Sequence, residues 1–227
     1  MFEDNPEEYI RKDIEGSDID TRRRAVSDFV RTLSQYFEAK IVELFSQYLG
    51  VLLQRYKSDP KNNWRSKDTA IYLVSTLASK GSTQKHGVTQ ASQLVPLPQF
   101  CQTEILPELE RPDVNEMPVL KADALKFLMT FRTMLGQQVI ATIPQVVRHL
   151  TSESFVVHSY AACNLEKILI MKDSNGNPLI TQDVLAPYGA AVVGGLFTAL
   201  SKPNSGENEY IMKAIMRAFS TLNEHTM

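Results

Sequence analysis

Cysteine is nearly absent: Cys101 and Cys163 are the only two in 227 residues. They could form at most one bond, too little to staple a chain of this length, so a disulfide framework is excluded. Buried free thiols of a reducing compartment are the expectation. Long apolar runs are missing as well. No stretch reaches the roughly 18 uninterrupted apolar residues of a membrane-spanning helix. The most apolar run, residues 188–200, is short and carries Gly189, Gly194 and Gly195. Basic excess is also lacking. A net charge of −2 leaves no broad positive face for nucleic acid, so no nucleic-acid and no membrane partner is expected. The first residues include Glu3, Asp4, Glu7 and Glu8, the opposite of a signal peptide.

Catalytic and metal-binding constellations are equally scarce. His86, His149, His158 and His225 stand alone, with no second His or Cys at ligand spacing, so no metal site is expected. His158 lies in an apolar segment and reads as a hydrogen-bonded core residue. Neither G-x-S-x-G nor H-E-x-x-H occurs. Residues 81–87 hold two glycines and a lysine but lack the spacing of a phosphate-binding loop. In residues 173–178 (DSNGNP), Pro178 stands where a calcium loop needs glycine, and Val184 where it needs a bidentate Glu, so the segment reads as a turn. No catalytic residue and no cofactor can be assigned, and an enzyme is not expected.

What is there is helical periodicity, broken by Pro, Gly, Asn and Ser. An apolar fraction of 43% suffices for a sizeable core. No strand signal survives its neighbours. Five antiparallel pairs are expected, at about residues 6–36, 38–80, 98–134, 138–172 and 182–223. The mean of about 45 residues per pair suits HEAT or armadillo units. Ala25, Ala70, Ala124, Ala161 and Ala214 stand at comparable places in the second helices, where a small side chain lets helices approach closely. Each pair has an apolar face that needs a neighbour. The fold class is therefore all-α, a HEAT-repeat α-α superhelix (solenoid) of about five pairs forming a single segment over residues 1–227; a compact helical bundle is the other option. The pattern is still in register at Phe219 and Leu222, so the chain reads as a piece of something longer. Its open end repeats are expected to favour self-association.

The segment with most character is residues 1–20, where eight acids (Glu3, Asp4, Glu7, Glu8, Asp13, Glu15, Asp18, Asp20) face only Arg11 and Lys12. Arg22, Arg23 and Arg24 follow at once. Exposed acids that simply neutralise nearby arginines are one reading. A bipolar patch for a charged partner is the other.

Several strings resemble nuclear export receptors of the importin-β superfamily. They are FEDNPEEYIRKDIEGSDIDTRRRA (residues 2–25), KDTAIYLVSTLASK (67–80), QKHGVTQA (84–91), NEMPVLKADALKF (115–127) and ENEYIMKAIMRAFS (207–220). They touch every pair but the fourth. The resemblance implies a central piece of a HEAT-repeat receptor that carries importin-α from nucleus to cytoplasm with Ran-GTP, shuttling between the two compartments. The superfamily's main Ran site lies in amino-terminal repeats that this piece lacks, so strong Ran binding by the piece alone is not expected. Residues 6–20 resemble a partner-touching insertion within a central repeat. By that resemblance Tyr9, Arg11, Lys12, Asp13, Glu15, Asp18 and Asp20 face a partner, with Arg22, Arg23 and Arg24 nearby. The first pair would then lack its true first helix. A structural HEAT scaffold in a multiprotein complex is the alternative function.

Overall fold

The fold was established from a computed structural model, which describes residues 2–15, 22–84, 88–91 and 95–222. The chain divides into two compact units, Glu3–Glu104 and Ile105–Met227.

The first unit opens with α1 (Pro6–Glu15). Asn5 closes its start from both sides. The Glu8 backbone N–H donates to Asn5 Oδ1 (3.2 Å), and Asn5 Nδ2 donates to Glu8 Oε2 (2.8 Å), a reciprocal cap ahead of Pro6. The Asp20 cap expected for the next helix lies outside the described residues.

α2 (Arg22–Ser58) joins what the pattern divides into residues 21–36 and 38–56. The joint is a bend, not a gap: Phe37 leaves helical geometry (φ −131°, ψ 37°) while the chain keeps turning on either side. Neither Pro nor Gly stands there to stop it. α3 (Trp64–Ala78) follows the turn at Asp59, whose carboxylate accepts from Asn62 N (3.2 Å) and Nδ2 (2.7 Å). The first half of α2 runs parallel to α3: Arg23 meets Asp68, and Ser27 meets Tyr72 and Thr76.

The expectation of no strands is corrected next. β1 (Ser79–Gln84) and β2 (Val88–Ala91) form an antiparallel hairpin pairing Thr83 with Thr89 and Gln84 with Val88. Its residues are polar with no apolar alternation, so the pattern that signals a half-buried strand is missing; β-branched Thr83, Val88 and Thr89 are the only trace. A second correction follows at the helix expected near residues 98–109. It is divided into α4 (Leu97–Phe100), a π turn (Cys101–Ile105) and α5 (Leu106–Glu110). Pro107 has no N–H for the carbonyl four residues back, and its ring crowds that carbonyl, so the wider turn accommodates it.

The second unit continues with α6 (Pro118–Leu135), ended by Gly136 at φ 53°, a left-handed value that a side chain disfavours. A 3-10 stretch (Gly136–Thr142) leads into α7 (Ile143–His149), then α8 (Phe155–Leu169). α8 is the centre of this unit, with thirteen of its fifteen residues buried. The DSNGNP segment is a turn: the Asp173 carboxylate accepts from Asn175 N (2.8 Å) and Asn177 N (2.9 Å). α9 (Gln182–Leu200) and α10 (Glu209–Leu222) complete the unit. α9 is long and apolar enough to cross a membrane by length and composition alone, which the count of uninterrupted apolar residues does not reveal. In the fold it is a repeat helix, with Leu185, Val192, Leu196 and Ala199 turned inward and the helix packed on α7 and α10.

Second helices again run parallel. α6 meets α8 at Leu125 and Asn164, and α8 meets α10 at Ser159 and Asn208. Four of the five alanines work as expected: Ala70, Ala124, Ala161 and Ala214 are fully buried. Ala25 is the exception, exposed on α2.

Candidate protein-binding surface

The residues assigned to partner contact divide into two groups. On α1, Ile10 is buried and anchors the helix, while Arg11 is exposed and Tyr9, Lys12 and Asp13 are half-buried. Lys12 pairs with Glu8 one turn back (2.7 Å), and the hydrogen bond and charge of Lys12 hold the Glu8 carboxyl below its usual range. The Glu15 side chain, Asp18 and Asp20 lie outside the described residues. At the start of α2, Arg22 is exposed, and Arg24 reaches Asp28 (3.4 Å).

Arg23 has a partner that sequence reasoning missed. Its guanidinium donates to Asp68 Oδ2 (2.6 Å) and sits 5.0 Å from the centre of the Tyr72 ring, while Tyr72 Oη donates back to the Arg23 carbonyl (2.8 Å). The separation of 45 residues is one repeat, so only knowledge of the parallel packing could have revealed it. Asp68 is nearly buried, so Arg23 ties α2 to α3 while keeping half its surface in water.

Buried polar groups elsewhere are structural. Glu104 receives Lys57 Nζ (3.1 Å) and Lys67 Nζ, and the Lys67 ammonium is itself buried over the Tyr56 ring. Burial works against ionisation of Glu104, but the two lysines outweigh it and lower its pKa. In the second unit, Lys121 Nζ donates to the Glu108 carbonyl (2.6 Å), and Arg148 donates to the carbonyls of Leu109 and Arg111, closing the end of α5. Burial pushes Lys121 down to about 8 and His149 down to about 4. His158 is the core histidine the sequence suggests. Its Nδ1 donates to the Ser152 carbonyl (3.0 Å), which leaves Nε2 to accept from the Ser205 hydroxyl (2.9 Å).

Chemistry is not what these groups offer. Burial raises the Cys101 thiol to about 12 and the Cys163 thiol to about 11, which suppresses thiolate formation. Among the described residues no group of three His, Cys, Asp or Glu is placed to hold a metal ion. The surface is instead rich in uncovered apolar side chains, which the periodicity had assigned to core faces. Val26, Phe29, Tyr36, Tyr48 and Val51 are exposed on α2, and Met212, Met216 and Phe219 on α10, with Phe197 of α9 edge-on to Phe219. An i, i+3/i+4 stripe reveals which residues share a face but not whether anything covers it.

A surface of stacked helix pairs without assembled catalytic groups is what a binding protein presents. Comparison with known families decides which kind. The Cse1 family model matches residues 1–165, and the model for the CAS/CSE protein C-terminus matches residues 166–227. The chain belongs to the Cse1 family. Among Cse1 relatives, exportin-2 of Drosophila melanogaster is 62% identical over 228 residues, covering 100% of this chain and 23% of its own length. Exportin-2 of Homo sapiens is 52% identical over 224 residues, covering 98% of this chain and 23% of its own length. A solved structure, the exportin Cse1 in its cargo-free, cytoplasmic state, matches with a TM-score of 0.79 at 32% identity, over 99% of this chain and 23% of that one. The all-α HEAT-repeat class expected from the sequence is thus the class of a solved Cse1 exportin. The chain spans about a quarter of the length of the Cse1 relatives it matches.

Proposed function

We propose that this chain is a repeat segment of a nuclear export receptor that carries importin-α from nucleus to cytoplasm in complex with Ran-GTP, working by binding and not by catalysis. The observation that carries the reading is the 62% identity to an exportin-2 along the entire chain. The fold suits the role: stacked helix pairs present long surfaces, and partner binding needs no reactive group. Partner affinities in such a receptor are coupled, so Ran-GTP and importin-α raise each other's affinity by the same factor. The receptor would shuttle between the two compartments, with no nucleic acid or membrane as partner.

The test uses the longer receptor that contains this segment. Immobilised importin-α should capture it with Ran-GTP and not with Ran-GDP; equal capture in both states would sink the export reading in favour of a constitutive scaffold.

Within that reading, the partner-facing residues are Tyr9, Arg11, Lys12, Asp13, Glu15, Asp18 and Asp20, with Arg22 to Arg24 beside them. What supports this is a charged, partly exposed α1 anchored by a single buried residue, Ile10. Reversing Asp13, Glu15 and Asp18 to lysine should weaken partner binding with helix content unchanged. Unchanged affinity would leave the stretch a solvated segment.

A further inference from the structure

The uncovered stripes on α2 and α10 follow from the way second helices stack. Each parallel contact has a direction. One helix offers the side that faces the next pair, and its neighbour offers the side that faces the previous one. α6 meets α8 this way, as Asn164 Nδ2 donates to the Leu125 carbonyl (2.8 Å), and α8 meets α10 as Asn208 Nδ2 donates to Ser159 Oγ (2.7 Å). The first half of α2 meets α3 in the same sense through Arg23 and Ser27.

α2 spends its Ser27 side on α3 and leaves Val26, Phe29 and Tyr36 in water, with half-buried Leu33 completing the row. α10 turns Ile211, Ala214 and Ala218 inward and leaves Met212, Met216 and Phe219 in water. Met216 is 69% exposed and Phe29 63%, values that a lone apolar residue can show but that here repeat along each helix at three- and four-residue steps. The α2 stripe is therefore the kind that receives a preceding second helix, and the α10 stripe the kind that receives a following one.

We propose that a second copy of this chain seats its α10 stripe on the α2 stripe of the first, continuing the parallel packing in a head-to-tail contact. Charge favours the parallel register. Exposed Glu207 and Glu209 at the start of α10 fall beside exposed Arg22 and Arg24 at the start of α2, and Lys213 falls near Asp28. The antiparallel alternative would bring Arg217 to those arginines instead. Such a contact is heterologous: each copy uses a different patch, and both patches stay available at the ends of any assembly, so growth continues beyond the dimer. The inference is independent of the export reading, since it concerns only the two faces this chain exposes.

Sedimentation equilibrium of the 227-residue chain over a wide concentration range tests it. The weight-average mass of the wild type should rise past that of a dimer. Phe29→Glu closes the α2 face and Met216→Glu closes the α10 face, so each variant alone should stay monomeric. Mixed in equal amounts, they should form a dimer and stop there, because one free α2 face meets one free α10 face. Both residues are exposed, so folding should survive, as circular dichroism will check; Val26→Lys and Met212→Lys are a second pair if it does not. A wild type that remains monomeric, a Phe29→Glu variant that still dimerises, or a mixture that does not pair would each overturn the proposal.

Discussion

Glu104 and His149 show how much depends on single buried charges and near-charges. Glu104 sits with Lys57 and Lys67, and the Lys67 ammonium is almost wholly enclosed. Replacing Glu104 by Gln leaves that ammonium without its counter-charge, and breaking a buried pair in this way costs about 3–5 kcal/mol. Urea melts should show the loss, and Lys67→Met on the Glu104→Gln background should recover part of it. His149 acts in the opposite sense, as a group that stays neutral. Its Nδ1 is bonded to the Gln145 carbonyl (2.7 Å), Nε2 is buried without a hydrogen-bond partner, and burial lowers its pKa to about 4. The unfolded chain therefore takes up the proton first as pH falls below 6.5. The stability this neutral imidazole allows is fully present above about 6.5 and is lost as pH falls toward 4, on the order of 3 kcal/mol across that window. His149→Leu should remove this slope, so the stability gap between wild type and variant should narrow or invert from pH 7 to pH 4. A constant gap would show that His149 does not titrate in this way.

At the scale of elements, helices were legible wherever a stop signal and a covered face coincided. Residues 182–200 and 209–222 follow directly from the apolar pattern and the polar turn between them. Two features escaped for physical reasons. The bend at Phe37 has no breaker residue, so a break in the pattern looked like a gap in the helix, whereas the backbone only departs from helical geometry at one position. The hairpin at residues 79–91 is polar on both faces, and backbone pairing without apolar alternation has no sequence signature. The site was less legible than the fold. Arg23 was seen as part of a charged run, but its partner Asp68 is one repeat away and belongs to no local pattern. Asn208 shows the same inter-repeat logic at a helix start. Its Oδ1 accepts from Tyr210 N (3.1 Å) and Ile211 N (3.3 Å), capping α10, while Nδ2 reaches Ser159 on α8. Asn208→Ala removes both functions and should cost about 1–2 kcal/mol, measured by chemical denaturation. Asn208→Asp should keep the cap and lose only the bond to Ser159, so it should fall between wild type and Ala.

For the whole molecule, the argument is that a chain built of stacked helix pairs works by what its faces hold. Family membership fixes the kind of protein, and the 23% share of its relatives' length places the coupled binding in the longer receptor. The direct measurement is the affinity of that receptor for importin-α, by calorimetry, with Ran-GTP, with Ran-GDP and with neither. The account predicts tight binding only with Ran-GTP, and an equal factor when Ran-GTP affinity is measured with and without importin-α. The same affinity in all three conditions would contradict it.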